Sequence, residues 1–344
     1  MKLTQFKYNL PRNLIAKHPK TPRDTNKLMI LNREEQTIVT KRFRNIIEYL
    51  NKGDILVLND SKVFPARLFG MKEKTKAKIE VFLLRQLSED DNIWDVVVDP
   101  ARKVRIGNRI FFTKNLYCEV IDNTTSRGRI VRFNIKGDFR KYIEKLGKTP
   151  LPPYIKREST EKDKTYYQTV YAKNVGSVAA PAAGIHFTKE LLNRIKKKGV
   201  QIAYITLHIG LGTFRLVEVE DLSKHRMDSE YFEISKEYAD IINNTIDGSH
   251  RVVAVGTSVA RALESSVITG KHVRSGKGWT DKFIHPPQTL NVVDVLVSKL
   301  HMPQSTLLML VCAFADRDFV MKAYKKAIRE KYKFYSYGDS MLII

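Results

Sequence analysis

The stretch RVVAVGTSVARALES, residues 251–265, decides the fold class. Its β-branched start predicts a buried strand over 251–255, and Gly256 permits a tight turn after it. Thr257 and Ser258 are both of the type that caps a helix, so we expect one of them to be the N-cap residue. A strand that turns directly into a helix is the building unit of an α/β protein.

The predicted helix, Ser258–Ile268, brings Arg261, Glu264 and Ser265 onto one face, because residues three and four apart are neighbours on a helix. The free N–H groups at its start suit an anion such as a phosphate or a carboxylate. The alternative is that the turn is only structural, since every strand-to-helix crossover needs a cap.

The same alternation continues on both sides of this stretch. It predicts strands at Leu28–Leu31, Ile55–Leu58 and Gln201–Thr206, and helices at Phe43–Leu50, Lys189–Lys198, Lys236–Asn244, Ser305–Phe314 and Asp318–Glu330. We therefore predict an α/β layered main domain, a mixed sheet with helices on both faces, over residues 1–65 and 150–344.

Residues 66–149 have a different pattern and predict an inserted domain. Short β-branched and aromatic runs, separated by turn residues, predict strands at Lys78–Leu84, Trp94–Val98, Arg109–Phe112, Tyr117–Ile121 and Ile130–Ile135. Five or six short antiparallel strands predict a small β-barrel. A helix over Phe139–Leu146 and the proline-rich stretch TPLPPYI (149–155) then return the chain to the main domain.

Composition limits the function classes. The chain has 344 residues with 60 Lys+Arg against 37 Asp+Glu, a net charge of +23. This excess predicts attraction to a polyanion such as RNA, although solvated lysine runs explain part of it. No apolar run approaches roughly 18 residues, and Cys118 and Cys312 suggest neither a disulfide framework nor a zinc site, so we expect a cytoplasmic protein.

Three blocks in the second half carry candidate catalytic side chains. The segment AAPAAGIHFT (179–188) ends in His186, a potential acid or base whose alternative is a hydrogen-bonded core residue. The segment TLHIGLGTFR (206–215) places His208 in a loop after a strand, between Thr206 and Gly210, where α/β folds usually bind ligands.

The third block, HRMDSEY (225–231), contains Asp228 and Glu230. Its spacing matches no zinc signature, so we predict no metal and interpret these residues as a general base or as carboxylates that face a cation. Pairing of Glu230 with a lysine is the structural alternative.

Two further blocks contain candidate binding residues. The segment VLNDSKVFPARLFG (57–70) ends a strand with Asn59 and Asp60. The segment FYSYGDSMLI (334–343) combines aromatic rings with Asp339; its rings suit base stacking, and the alternative is a closing strand. The chain contains no Walker loop, GxGxxG, GxSxG or HExxH motif.

Taken in order, ten blocks resemble the S-adenosylmethionine:tRNA ribosyltransferase-isomerase family of queuosine biosynthesis, from about Leu3 to Ile343. They are VLNDSKVFPARL, TPLPPYI, YYQTVYAK, AAPAAGIHFT, TLHIGLGTFR, HRMDSEY, VGTSVARALES, GWTDKFIHPP, HMPQSTLLMLVCAFA and FYSYGDSMLI. The family's inserted β-barrel and α/β main domain agree with the segment pattern.

The resemblance implies a reaction on tRNA that carries 7-aminomethyl-7-deazaguanine at the wobble position. The ribosyl part of S-adenosylmethionine is transferred to the aminomethyl group and isomerised, which gives epoxyqueuosine-tRNA, adenine and methionine. S-adenosylmethionine is thus a substrate, and we expect no permanently bound cofactor, no membrane partner and a monomer.

The implied chemistry assigns roles to the candidates. A base must remove the proton beside the sulfonium, for which we consider His186, His208 and Glu230. A carboxylate or an aromatic face attracts the sulfonium, which favours Asp228, Glu230 or Tyr337. The expected substrate-binding set is completed by Asn59, Asp60, Thr206, Gly210, Glu264 and Asp339.

Charged groups of the substrates suggest further roles. We expect the methionine carboxylate to bind at the helix start, to Thr257, Ser258 and Arg261. Contacts with tRNA phosphates are expected from Lys62, Arg67 and Arg215.

The sequence departs from the family pattern at several of these blocks. Ala182 stands where threonine is usual, Asp228 where many members have histidine, and Lys299 where asparagine is usual. Ser61-Lys62 and Ser258-Val259 are milder changes. Ala182 removes a hydroxyl, and Asp228 means that a histidine there cannot be an obligatory base.

Two other function classes compete with this interpretation. An RNA methyltransferase predicts a glycine-rich loop after a first strand, which the sequence lacks, and release of S-adenosylhomocysteine. A non-catalytic RNA-binding protein explains the charge but does not require His186, His208 and Glu230 to converge in one pocket, so a structure that scatters these three would favour that class.

Overall fold

The computed structural model describes residues 1–124, 128–135 and 138–344. Its strands are β1 Lys27–Asn32, β2 Thr37–Arg42, β3 Ile55–Asn59, β4 Ser61–Val63, β5 Arg67–Lys72, β6 Lys78–Ser88, β7 Ile93–Asp99, β8 Arg109–Phe111, β9 Tyr117–Asn123, β10 Arg129–Phe133, β11 Asn174–Ser177, β12 Gln201–Leu207, β13 Glu230–Ile234, β14 Val252–Val255, β15 Gly276–Thr280, β16 Val295–Lys299 and β17 Ser340–Ile343. Its α-helices are α1 Arg140–Leu146, α2 Glu161–Tyr166, α3 Lys189–Lys197, α4 Lys236–Asp247, α5 Thr257–Ser265, α6 Thr306–Ala315 and α7 Arg317–Arg329.

The chain divides into two compact units. The first comprises Met1–Lys62, Pro152–Arg157 and Tyr166–Ile344, and the second comprises Val63–Leu151 and Glu158–Thr165.

A nine-stranded mixed sheet forms the centre of the first unit, in the order β15-β13-β12-β3-β14-β16-β17-β1-β2. Strands β12, β3, β14 and β16 run parallel to one another. The residues of β3 and β14, ILVLN and VVAV, are all buried. Continuous apolar runs of this kind are typical of parallel strands that are covered on both faces.

Helices cover both faces of this sheet, as the sequence predicted. On one face Leu56 and Leu58 contact the hydrophobic residues of α3 and of the 3₁₀ segment Phe43–Tyr49. On the other face Ile55 and Val57 belong to the core formed with α4, α5, α6 and α7. Burial on both faces removes the side chains of these central strands from water.

The second unit contains a closed antiparallel barrel in the order β10-β7-β6-β5-β8-β9. Its strands bury alternate residues, as in β7, where Trp94, Val96 and Val98 are buried. The barrel predicted from the sequence is confirmed. Its sixth strand, β5, is one that the sequence analysis did not delimit.

Several elements differ from the sequence prediction. The predicted helix over Phe43–Leu50 is a 3₁₀ segment, Phe43–Tyr49. The edge strand β2 was not predicted, because its sequence TIVTKR is largely exposed and lacks an apolar run. Strands β13, β15 and β16 were also missed. Terminal residues of the remaining elements shift by a few positions, as is normal for element ends.

Candidate active site

The carboxyl ends of four parallel strands meet at one edge of the sheet, the usual ligand-binding edge of an α/β fold. An open cavity of about 770 Å³, including its mouth, lies among the residues that follow these strands. Its walls are formed by Tyr154, Tyr167, Ala179–Ala183, Ile209, Thr213, Phe214, Glu230, Gly256–Ser258, Arg261, Ser298, Lys299, His301, Met302, Leu307, Tyr335 and Ser336.

A buried ion pair forms one wall of the cavity. Glu230, at the start of β13, accepts a hydrogen bond from Arg261 Nη1 through Oε2 and from the Gly210 backbone N–H through Oε1 at 2.8 Å. The Arg261 guanidinium also donates to the carbonyl oxygens of Thr280 and Lys282, at 3.2 and 3.1 Å. Fixed donors on both oxygens hold the Glu230 carboxylate in one orientation.

The start of α5 forms a second wall. Gly256, not Thr257 or Ser258, is the N-cap residue, and no side chain caps the helix. Its φ of +98° is accessible to glycine without strain, which explains why the predicted hydroxyl cap is displaced by one residue. The first-turn N–H groups therefore keep their capacity to bind a ligand.

Asn59 does not line the cavity but contacts this wall from behind. Its Nδ2 donates to Ser258 Oγ at 3.2 Å and to the Leu207 carbonyl at 2.9 Å. Its Oδ1 accepts from the backbone N–H groups of Ser61 and Leu207. Asn59 thus joins the ends of β3 and β12 to α5.

Lys299 ends β16 and lies in the cavity wall with its side chain buried. Its Nζ is 2.5 Å from His186 Nε2 and also donates to the Gly338 carbonyl. Burial lowers the pKa of Lys299 to about 7, against a smaller opposing effect of Asp339. In the sequence, Lys299 stands out only as a departure from the family pattern.

His186 lies one layer behind the cavity. Its Nδ1 is 3.0 Å from the Arg23 carbonyl, so the proton belongs on Nδ1, and Nε2 accepts from Lys299. Burial, followed by the charge of Lys299, holds the pKa of His186 well below its usual value. His186 is therefore a neutral residue that orients Lys299.

His208 is also outside the cavity wall. Its ring stacks on Tyr231 with 5.7 Å between centroids, and burial lowers its pKa. Its Nδ1 has no hydrogen-bond partner among the described residues. Of the three expected bases, only Glu230 lines the cavity, so the structure does not bring His186, His208 and Glu230 together in one pocket. This separation is what a non-catalytic RNA-binding protein predicts, but an enzyme needs only one of the three as its base, and Glu230 is in place.

Aromatic rings form a third wall, of which the sequence predicted only a part, through the rings of the block FYSYGDSMLI. Tyr154 lies 4.5 Å from Tyr335 and 6.2 Å from Phe214, measured between ring centroids. Tyr335 has a φ of +70°, and its neighbour Ser336 is 2.7 Å from the Tyr154 hydroxyl. A bulky residue held at positive φ is an indication of a functional constraint. In the sequence, the aromatic block FYSYGD was the feature that could have identified Tyr335 as a cavity residue.

Several predicted binding residues form hydrogen bonds within the protein and do not line the cavity. Asp60 Oδ1 accepts from Thr206 Oγ1 at 2.7 Å and from Asn174 Nδ2 at 3.1 Å, while burial raises its pKa. Glu264 accepts from the backbone N–H groups of Asn291 and Val292 at 2.8 and 2.9 Å. None of these carboxylates lines the cavity.

The C-terminal candidates are buried in a similar way. Asp339 accepts from the backbone N–H groups of Lys27 and Lys333 at 2.8 and 2.7 Å. Tyr337 packs edge-to-face on Tyr167 at 5.9 Å, and it is Tyr335 that lines the cavity.

The remaining charged candidates lie elsewhere. Asp228 and Arg215 form an exposed ion pair at 3.2 Å, and Lys62 is exposed on β4. Arg67, in the second unit, is bonded to Glu80 at 2.9 Å and to the Leu151 carbonyl at 3.2 Å.

Among the described residues, no group of three or more His, Cys, Asp or Glu side chains is arranged to hold a metal ion. In the same parts of the chain, no helix combines the length and hydropathy needed to span a membrane.

The mixed α/β sheet, with a cavity lined by aromatic, apolar and a few charged side chains at the ends of its parallel strands, defines the class: an α/β protein with a candidate small-molecule site. The family model described as queuosine biosynthesis protein matches residues 3–343. The chain belongs to this family.

Individual relatives agree over full length. The chain is 55% identical to the S-adenosylmethionine:tRNA ribosyltransferase-isomerase of Chloroherpeton thalassium and 54% identical to that of Cytophaga hutchinsonii, with 100% of each chain covered. The crystal structure of an S-adenosylmethionine tRNA ribosyltransferase from Thermotoga maritima is 37% identical, with a TM-score of 0.57, and the match covers 99% of this chain and 100% of that one.

Proposed function

We propose that the protein transfers and isomerises the ribosyl moiety of S-adenosylmethionine onto 7-aminomethyl-7-deazaguanine at the wobble position of tRNA. The products are epoxyqueuosine-tRNA, adenine and methionine. The observation that carries the proposal is a single cavity with an oriented carboxylate and an aromatic wall, in a chain that matches the family from residue 3 to residue 343.

Glu230 is the proposed base that removes the proton beside the sulfonium. It is the carboxylate of the described cavity wall, whereas His186 and His208 lie outside that wall. Donation by Gly210 and Arg261 leaves further lone pairs on its two oxygens, so the carboxylate can still accept a proton. The negative charge also attracts the sulfonium cation.

The aromatic wall is the proposed binding surface for the sulfonium and its nucleoside. A ring face attracts a cation, and this attraction strengthens when the cation leaves water. Tyr154, Phe214 and Tyr335 supply such faces, in place of Asp228 and Tyr337, which lie outside the cavity wall. The substrate-binding role expected of Asn59, Asp60 and Thr206 falls to the residues of the cavity wall, because none of those three lines the cavity.

The tRNA substrate is the proposed partner of the basic surface. The net charge of +23 favours long-range attraction of the polyanion. Lys62 is exposed and available to phosphates. Arg215 is exposed but pairs with Asp228, and Arg67 is bonded to Glu80, so each of these two would have to exchange a carboxylate for a phosphate. Free Cys118 and Cys312 are compatible with a reducing cytoplasm, where we place the reaction and a monomeric enzyme.

The decisive experiment incubates the purified protein with adenine-labelled S-adenosylmethionine and tRNA that carries the aminomethyl base. We expect free adenine in amounts equal to the modified tRNA formed. Unmodified tRNA is the matched control and should release none. Release of S-adenosylhomocysteine instead of adenine would establish the competing methyltransferase function, and absence of any turnover would refute an enzyme of either kind.

A further inference from the structure

The cavity contains two cationic side chains in different electrostatic situations. Arg261 is neutralised by Glu230, and three of its nitrogen atoms already donate to protein oxygens. Lys299 has no carboxylate within ion-pair distance among the described residues. Asp339, the carboxylate that raises the pKa of Lys299, already accepts from the backbone N–H groups of Lys27 and Lys333.

The hydrogen bonds of Lys299 leave one donor unused. A protonated amine has three hydrogens, and His186 Nε2 and the Gly338 carbonyl accept two of them. Because the residue is only 3% exposed, little water is available to the third hydrogen. A buried charge without a counter-ion is costly, so an anion from a ligand would relieve this cost.

The position of Lys299 in the sheet places its backbone close to the start of α5, and both line the same cavity. Val255 and Val297 are paired in the parallel strands β14 and β16, and the Gly256 N–H donates to the Val297 carbonyl at 2.8 Å. The end of β16 and the turn before α5 are therefore adjacent parts of one wall. A substrate carboxylate bound there would face Lys299 without displacing any partner of Arg261.

We propose that Lys299 is a substrate-binding residue whose protonated amine pairs with the methionine carboxylate of S-adenosylmethionine. The inference rests on the proposed function and assigns the carboxylate to Lys299 instead of Arg261. His186 is then a positioning residue that fixes the amine through Nε2.

Pairing of Lys299 with a carboxylate couples substrate binding to protonation of the amine. The free amine has a pKa of about 7, and a bound carboxylate raises that pKa, so binding takes up a proton above pH 7. The affinity for S-adenosylmethionine therefore falls as the pH rises above 7. The other groups that face this site are His186, Arg23 behind it, Asp339 and His301, whose pKa is lowered by burial to about 3.

The test compares two ligands that share the nucleoside. Isothermal titration calorimetry at pH 6 to 8.5 would measure the Kd of S-adenosylmethionine and of 5′-methylthioadenosine, which lacks the amino-acid part. In Lys299→Met we expect binding of S-adenosylmethionine to weaken about 10- to 100-fold at pH 6, the size of a lost charged hydrogen bond. The ratio of the variant and wild-type Kd values should shrink as the pH rises, while 5′-methylthioadenosine binds both proteins equally.

Controls separate this role from a structural one. Lys326→Met removes a partly buried lysine that lies outside the cavity wall, where it donates to the Ile38 carbonyl, and it should bind both ligands as the wild type does. The ligand's own amino group, with a pKa near 8 by analogy with an α-amino group, contributes equally to all proteins and cancels in the ratio. If Lys299→Met does not fold by circular dichroism, Lys299→Gln takes its place.

The outcomes distinguish the two proposals. Equal affinity and equal pH dependence in the wild type and the Lys299 variant would overturn the role of Lys299 and leave the proposed function standing. A wild-type protein that binds neither ligand would overturn the proposed function, and this inference with it. A variant that loses both ligands equally, at every pH, would show a structural role only.

Discussion

Replacing Glu230 by glutamine tests the buried ion pair most directly. Both partners are almost fully buried, with exposed side-chain fractions of 4% for Glu230 and 6% for Arg261. The change keeps the shape of the side chain but leaves the guanidinium without a counter-charge. Removing one partner of a buried pair typically costs about 3–5 kcal/mol of unfolding free energy. Because Arg261 keeps the carbonyls of Thr280 and Lys282, we expect about 3 kcal/mol.

The assay is a double-mutant cycle that combines Glu230→Gln with Arg261→Met, measured by urea unfolding and circular dichroism. The double variant should cost less than the sum of the two single variants, by about 2 kcal/mol, because no unpaired charge remains. Adenine release by Glu230→Gln should fall about 100-fold or more if this carboxylate is the base.

Glu233→Gln is the matched control, since Glu233 lies on the same strand but is exposed. A single variant that loses less than about 1 kcal/mol, together with additive costs in the cycle, would refute the energetic reasoning. Turnover close to that of the wild type would refute the assignment of Glu230 as the base.

Three further predictions follow from separate parts of the chain. Tyr335→Ala should raise the KM for S-adenosylmethionine about 3- to 30-fold, because a ring face that attracts the cation is lost. In Tyr335→Phe, which keeps the ring, the KM should stay within about twofold of the wild-type value. Equal KM values for the two variants in steady-state assays would contradict this reasoning. His301 has a pKa of about 3 in the folded protein against 6.5 ordinarily, so as the pH falls below 6.5 the unfolded chain binds the proton first. Between pH 6 and 4, the unfolding free energy of the wild type should therefore fall relative to that of His301→Gln by about 1.4 kcal/mol per pH unit. Urea titrations at several pH values would measure this difference, and parallel pH curves for the two proteins would exclude the effect. Lys62→Glu should weaken tRNA binding and reduce its salt dependence by about one counterion, whereas Lys189→Glu on α3 should change neither. Filter binding at several salt concentrations would measure both quantities. Equal behaviour of the two variants would show that Lys62 does not contact the tRNA.

The sequence by itself determined the layers of the fold. Strand β14, Gly256 and α5 were visible as a strand, a turn and a helix, because apolar periodicity and glycine turns are local properties of the chain. The barrel was visible for the same reason, in short runs separated by turn residues. Edge strand β2 was not, because an exposed strand buries too little to show a pattern.

Only the tertiary structure decided which side chains face the cavity. His186 and Glu230 are equivalent candidates in the sequence, yet the His186 ring is held between Lys299 and the Arg23 carbonyl while Glu230 lines the site. Tyr335 and Tyr337 are two residues apart, and only the former lines the wall. The physical reason is that parallel strands bring the ends of distant segments to one edge, and the direction of each side chain there is fixed by packing between segments far apart in the chain.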